Sequence, residues 1–464
     1  MKTIDLIQPR QNYAPHPSVE RFGHIYMPTS LLTAGAVLQN SGIDATIHDE
    51  NFDSSNITSR YVGINLLGAP YIPEAVKLQN RIRKENGNEV IFFLGGKVVD
   101  GLTDEQFSRL FGPDSYRGND LWAVASRILG QSVQVKDPLS TSLIPVYNRI
   151  PDQMMKEYLF DEKEQKPREF SLFISKGCSS VCDFCAADKG MPETYRDQQI
   201  IKDDLSYLVR EAKRFELDKL SVYMSNLDVF QTPQELKRFA QSVREIKNEN
   251  PGFEIQLRGL SRVSSFLNAR KSANLMDRGS IEAIIEAGFH TVGFGVDGGS
   301  TEAWRNNHKG QNEQMCIEAI RSASQYKLTP ETLMVFGHVN VSANDPRTAY
   351  DFAKAMVELY GAIPRPHVSK WRIPGNVGWS EPSGESEREV LLSNPELFQS
   401  LDFTALPSKL THPDPELRAE ATKYFLLMCR LPGNTTNPVL PLESGMNAKE
   451  IDHVMRHNLK QWDR

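Results

Sequence analysis

Five cysteines in 464 residues are too few for a disulfide scaffold. No apolar run approaches the roughly 20 residues needed to span a bilayer. The N-terminal MKTIDLIQPRQNY passes from a short apolar stretch straight into polar residues. It has neither a long apolar core nor a small-residue cleavage site, so no signal peptide is expected and the expected address is the cytoplasm. There is no excess of positive charge: 53 Lys plus Arg against 59 Asp plus Glu leave −6. That balance argues against a dominant nucleic-acid surface. Neither a repeat of fixed period nor a low-complexity tract is present. What is present is ordinary: 39% hydrophobic and 24% charged residues, enough for a sizeable core. At roughly 150 residues per domain the length suggests two or three domains. The cysteines, however, are unevenly spread, with three inside eight residues. Clustered thiols in a reducing compartment point to a metal or redox site.

The first 130 residues alternate strand and helix signals. Expected strands are 3–7, 43–49, 61–67 and 89–94, with helices at 31–41, 72–85 and 118–130. Alternation implies right-handed crossovers and a parallel sheet, with ligands beyond the C-terminal strand ends. Gly68, Gly95 and Gly96 fall at those ends, where a flat ligand could approach the backbone closely. The charged stretch 160–169 fits an exposed linker. A second series follows, with strands at 170–175, 219–225, 254–258, 291–296, 332–337 and 367–372. Helices are expected between them at 203–215, 232–248, 279–287, 313–326 and 345–360. Six such units suggest a partial α/β barrel. Two further helices are expected near 414–430 and 447–461. The fold class is therefore α/β: a doubly wound parallel sheet, a partial (β/α)6 barrel and a mostly helical C-terminal region. The expected boundaries are 1–145, a linker at 146–168, 169–378 and 379–464.

The sharp signal is Lys176-Gly177-Cys178-Ser-Ser-Val-Cys182-Asp-Phe-Cys185, a C-x3-C-x2-C spacing directly after the first strand of the second series. Thiolates suit iron–sulfur clusters and zinc. A [4Fe–4S] cube has four irons, so three ligands on one loop leave one iron open to a chelating substrate or cofactor. The amino and carboxylate groups of S-adenosylmethionine (SAM) would fit that corner. Structural zinc wants four ligands, commonly as two separated pairs, and no second pair lies nearby. Cys316 and Cys429 stand alone in expected helices and read as small core residues.

Cys178, Cys182 and Cys185, with Phe184 before the third cysteine, resemble the radical SAM superfamily. The resemblance implies a (β/α)6 barrel, the cluster on the loop after strand one, and SAM across the strand tops. Tyr223-Met224-Ser225-Asn226-Leu227-Asp228 ends the second strand, where the family contacts the SAM amino group, which makes Asn226 and Asp228 candidates. Gly293-Phe-Gly-Val-Asp297-Gly-Gly-Ser300 is similar to the family's fourth-strand pattern, with Asp297 where a Glu is usual. Its carboxylate could accept from a ribose hydroxyl, and a turn cap is the plain alternative. Met334 to Gly337 and Pro374-Gly375 resemble the fifth- and sixth-strand signatures. Arg258 and Arg262 could clamp a carboxylate or phosphate, with a salt bridge as the alternative. His16, His24, His48, His308 and His338 lie near expected loops. His338, Trp371 and Arg372 have the best claim to face a cavity. The acidic runs at 202–204 and 383–389 read as solvated faces.

Residues 1–130 resemble the cobalamin-binding domain attached to one branch of that superfamily. The carriers are Pro28 to Asn51, Val62-Gly-Ile-Asn65 and Leu94-Gly95-Gly96. A D-x-H-x-x-G motif is absent, and Asp114-Ser-Tyr116-Arg-Gly118 is the nearest approach. Cobalamin is the expected further cofactor, a lid without corrin the alternative. The resemblance implies a radical enzyme that cleaves SAM to a 5′-deoxyadenosyl radical. With cobalamin it would methylate an unactivated carbon of a small natural-product substrate. Without cobalamin it would dehydrate, deoxygenate or rearrange a substrate such as an aminoglycoside. The implied partners are a small-molecule substrate and a flavodoxin- or ferredoxin-type electron donor. From another class, a non-catalytic iron–sulfur protein would show a fully ligated cluster and no SAM cleavage. Transfer RNA methylthiolation ranks below these, for want of a second cysteine set.

Overall fold

The structure is a computed structural model. It describes residues 2–10, 27–52, 56–87, 89–162, 164–187, 189–271, 279–338, 341–370, 372–408, 410 and 414–436. His16, His24, Trp371 and the expected helix at 447–461 lie outside those residues.

The first sheet holds β1 (Lys2–Gln8), β2 (Ile43–Asp49), β3 (Tyr61–Asn65), β4 (Ile91–Gly95) and β5 (Ser115–Arg117). Their spatial order is β2-β1-β3-β4-β5 and every pairing is parallel. The order reverses around β1, the switch point where a doubly wound sheet opens a crevice. Helices Thr29–Asn40 and Tyr71–Asn86 supply crossovers, and the helix Leu121–Leu129 follows β5. Asp120 begins the last of these by accepting from the Trp122 and Ala123 amides.

The second sheet is β6 (Glu169–Phe173), β7 (Lys219–Ser225), β8 (Glu254–Ser261), β9 (Phe289–Gly295), β10 (Thr329–Phe336) and β11 (Ile363–Val368). They lie side by side in chain order, all parallel, as a six-stranded partial barrel. Along β7, Leu220, Val222 and Met224 are buried against the helices, and Ser221, Tyr223 and Ser225 alternate with them on the opposite face. The sixth strand runs four residues earlier than the sequence suggests. Pro364 and Pro366 disguise it, yet a strand at the sheet edge tolerates residues that cannot donate to a ladder. A helix at Val263–Lys271, unmarked by any strong cap, follows β8.

Two expectations are corrected. The stretch 146–168 is not a free linker. Tyr147, Met155, Tyr158 and Leu159 are buried, and Tyr158 donates to Asp49 of β2 at 2.6 Å. The stretch's exposed charges include Arg149, Asp152 and, in the hairpin between Phe160–Asp161 and Lys166–Pro167, Glu162 and Glu164. Nor is 202–204 wholly solvated: Asp204 is fully buried against Arg196, at 2.7 Å.

One core runs through both sheets, joining Ile4 and Leu6 of β1 to Phe170 and Leu172 of β6 by way of Tyr147 and Tyr158. A second core joins the first sheet's outer face to Trp379, Leu391, Phe398 and Leu401. The C-terminal region therefore folds back onto the first domain, and Trp379 donates its indole N–H to Gln106 at 3.3 Å. The helix Pro415–Met428 instead packs on the barrel, beside helix Asp345–Tyr360.

Candidate active site

The three-cysteine loop leaves β6 through Gly177, whose φ of +94° is in the left-handed region. A Cβ there would sit 2.5 Å from the Pro192 carbonyl oxygen, so the turn needs glycine. The loop closes on itself: the Met191 amide donates to the Cys178 carbonyl at 3.0 Å and the Gly190 amide to the Ser180 carbonyl at 2.7 Å. Its sulfurs collect donors. The Ser180 amide reaches Cys178 Sγ at 3.5 Å, the Ala187 amide reaches Cys185 Sγ at 3.4 Å, and Ser180 Oγ lies 3.1 Å from Cys182 Sγ. Such contacts favour thiolates over thiols. Burial acts against them and pushes the free Cys178 and Cys185 thiols above the ordinary range.

Neighbouring strand ends hold the loop from several sides. Gln231 accepts from the Ser179 amide and hydroxyl, both at 3.0 Å. The Asp183 amide donates to the Asn307 carbonyl. Asn376 donates to the Phe184 carbonyl at 3.0 Å. The Phe184 ring lies 5.0 Å from the His338 ring and 5.5 Å from the Lys309 ammonium. Among the described residues no three Cys, His, Asp or Glu side chains are grouped as a site for one metal ion. A tetrahedral zinc would draw its thiolates together at about 2.3 Å from one point. A cube takes one thiolate per iron and asks for no such convergence. Cys316 is buried in the core and Cys429 packs, partly buried, against it; burial raises both thiols to about 12.

At the top of β7, Asn226 is 6% exposed, and its Oδ1 is buried with no hydrogen-bond partner. Its amide N–H reaches Glu193 at 3.4 Å. Glu193 in turn accepts from Ser175 Oγ at 2.5 Å and Thr232 Oγ1 at 2.7 Å. Burial raises the Glu193 carboxyl while these three donors pull it down, and the net shift is upward. Glu193 was not legible in the sequence, since it belongs to no motif. Its arrangement turns the Asn226 oxygen outward as an acceptor awaiting a donor.

Asp297 follows β9 with φ +49°, strained for a residue with a side chain. Its carboxylate is paired with the buried Lys309 ammonium. Burial works against that ammonium, but Asp297 and the Cys182 and Cys185 sulfurs outweigh it and hold its pKa above the usual lysine value.

Two expected ligand contacts are corrected. Arg258 does not present an open fork: β8 aims it across the barrel at Glu331 and, at 3.0 Å, at Glu169. Arg365 joins the same network through Glu331. Asp228 is likewise committed, accepting from Ser265 Oγ at 2.5 Å and from Ser261 Oγ and the Arg262 amide, both at 3.2 Å. It ties the β7 and β8 loops together, and burial raises its carboxyl despite these donors. His48 is bonded to Asp5, exposed His308 to Asp183, and Arg372 to Gly378, Glu381 and Ser383.

Between the two sheets lies a cavity of about 610 Å³, within the range of small-molecule sites. Ser30, Asn65 and Gly96 line it from the first sheet; Phe173, Ser175 and Asn226 line it from the barrel. Gly95 shares the wall and Gly68 lies just beyond Leu67, outside it. Gly96, with φ +116°, brings its backbone against the Leu66 carbonyl, where a Cβ would sit at 2.0 Å. Leu67 and Leu227 leave 49% and 38% of their surface uncovered there, one from each side. No histidine is among the described residues lining it.

Residues 172–353 match the family model described as the radical SAM superfamily. A protein of Pyrococcus horikoshii described as uncharacterized methyltransferase PH0819 is 24% identical over 281 residues, 59% of this chain and 57% of that one. The chain thus spans little more than half of that relative. The solved structure of the cobalamin-dependent SAM radical enzyme OxsB with aqua-cobalamin bound superposes with TM-score 0.58 at 15% identity, over 76% of this chain and 52% of that one. TsrM from Kitasatospora setae, a radical SAM methyltransferase with cobalamin and a [4Fe-4S] cluster, gives 0.52 at 12%, over 77% and 73%. The three-cysteine loop at the head of a six-stranded barrel and the family match mark residues 172–353 as a radical SAM domain, on a fold shared with OxsB and TsrM.

Proposed function

We propose that this chain is a cobalamin-dependent radical SAM methyltransferase acting on an unactivated carbon of a small natural product. The observation that carries the reading is the cavity: one wall is the tip of the first sheet, the other the barrel top that bears the cysteine loop. A cluster on the cysteine loop with SAM beside it would supply a 5′-deoxyadenosyl radical, and cobalamin in the cavity would supply the methyl group.

The residues present fit such a set. Cys178, Cys182 and Cys185 would each hold one iron, with amide and hydroxyl donors already directed at their sulfurs. The buried, unpartnered Asn226 Oδ1 would accept from the SAM ammonium, and Glu193 fixes that amide's orientation. Asp297 would lie toward the sugar of the same ligand. Gly95 and Gly96 would let a flat macrocycle approach the first sheet, and Leu67 and Leu227 would lose their water against it. Among the described residues, none lining the cavity is a histidine that could ligate cobalt. A small one-electron carrier of the flavodoxin or ferredoxin type would reduce the cluster.

The test is anaerobic reconstitution with iron, sulfide and hydroxocobalamin, followed by metal and corrin analysis and measurement of 5′-deoxyadenosine from SAM under dithionite. One cobalt per chain with SAM cleavage is expected. Cleavage without bound cobalt would move the assignment to a dehydratase, deoxygenase or rearrangement enzyme. A bound cluster without cleavage would leave an electron carrier.

A further inference from the structure

We propose that Lys309 is a positioning residue that, paired with Asp297, sets how readily the iron–sulfur cluster takes up an electron. This rests on the reading of Cys178, Cys182 and Cys185 as cluster ligands. Both members of the pair are less than a tenth exposed. Burying two charges costs desolvation that their attraction barely repays, so such a pair is poor evidence of a stability device.

The surroundings show that the pair is built in. Gly295 leaves room for it: a Cβ there would fall 2.9 Å from Lys309 Nζ and 3.1 Å from Asp297 Oδ2. Asp297 holds a left-handed backbone, and its amide, like that of Val296, donates to the Leu333 carbonyl at 3.0 Å. The Lys309 amide is fixed on the Trp304 carbonyl at 2.9 Å. The ammonium then stands 5.5 Å from the ring of Phe184, the residue between the second and third cysteines. A buried charge beside the cysteine loop, close enough to interact with the Cys182 and Cys185 sulfurs, acts on charge gained there. Reduction adds one electron, hence one negative charge, to the cluster, and the electron comes from a low-potential one-electron donor. A nearby cation favours that state and a nearby anion opposes it.

The experiment is a potentiometric dithionite titration of the reconstituted holoenzyme without SAM, read by electron paramagnetic resonance. Iron content is measured alongside. Lys309→Gln leaves a lone carboxylate and lowers the reduced-to-oxidised ratio at fixed potential about tenfold, a shift of about 59 mV for one electron. Asp297→Asn leaves a lone ammonium and raises the ratio by a similar factor. The double variant and Lys309→Arg stay within about threefold of wild type. Opposite shifts from the two single changes are the signature, because a merely structural pair would move both alike. Shifts of one sign, or both under about twofold, overturn the proposal. If Lys309→Gln fails to retain iron, Asp297→Asn decides by itself: a rise supports the proposal, and no change or a fall refutes it. A wild-type chain that takes up no iron would instead refute the cluster reading underneath.

Discussion

Replacing Gly177 with alanine tests the loop at its narrowest point. The left-handed backbone at φ +94° costs a residue with a Cβ about 1–2 kcal/mol. The new carbon would also stand 2.5 Å from the Pro192 carbonyl oxygen, which belongs to backbone and cannot swing aside. Relieving that overlap costs roughly a further 1–3 kcal/mol, so the change totals about 2–5 kcal/mol. Gly190 is the matched control. It has φ +72°, but its nearest obstacle is Val181 Cγ1 at 3.5 Å, so Gly190→Ala carries only the backbone part. Since about 1.4 kcal/mol is tenfold in an equilibrium constant, Gly177→Ala disfavours the ligand-ready loop by at least tenfold. The assay is iron retained per chain after anaerobic reconstitution and challenge with a chelator, with urea unfolding of the apo chain beside it. Gly177→Ala retains little iron and Gly190→Ala retains most. Equal retention in the two variants would refute the reasoning, because the overlap is what separates them.

Cys182→Ala abolishes iron binding and 5′-deoxyadenosine formation; survival of either would show that the site is misassigned. Glu193→Gln and Asn226→Ala weaken SAM binding by about tenfold in equilibrium dialysis, near the typical worth of one hydrogen bond to a charged group, with iron content unchanged. Unaltered SAM affinity in both would remove Asn226 from the site. Asp345 is buried and its carboxyl is raised from 3.8 to about 6. The folded state therefore prefers it protonated: its own contribution to stability is most favourable below about pH 4, falls as pH rises to about 6, and is flat above. Asp345→Asn keeps an acceptor for the Gly337 amide and loses that slope. Urea unfolding shows its advantage over wild type growing by about 3 kcal/mol across the interval; a constant gap would contradict the burial argument.

The alternation of strands and helices was legible because it depends on local period and punctuation. Helix starts such as Asn312 and Asp414 announce themselves through short polar side chains that accept from the next amides, whereas the helix capped by Asp197 begins at Gln198, before the expected 203. The three cysteines were legible because their spacing alone carries the chemistry. What the chain hides is partnership across distance. Arg258 looks like an anion clamp until Glu331 and Glu169 arrive from 73 and 89 residues away. Asp228 looks like a ligand contact until the β8 loop claims both its oxygens. Lys309 and Glu193 carry no signal at all, since nothing nearby in sequence foretells the strand ends they meet. The return of residues 379–401 to the first sheet was equally invisible, because an apolar stripe does not name the surface that will cover it.

The two walls of the cavity are pinned on opposite flanks, by the shared core on one side and by the returning C-terminal segment on the other. At the junction, the backbones of Gly101 and Gly375 approach so closely that a Cβ on the first would lie 1.9 Å from the nitrogen of the second. Packing on both flanks favours one fixed spacing of the two walls. If the proposed planar cofactor binds there, such walls predict slow exchange once it is seated.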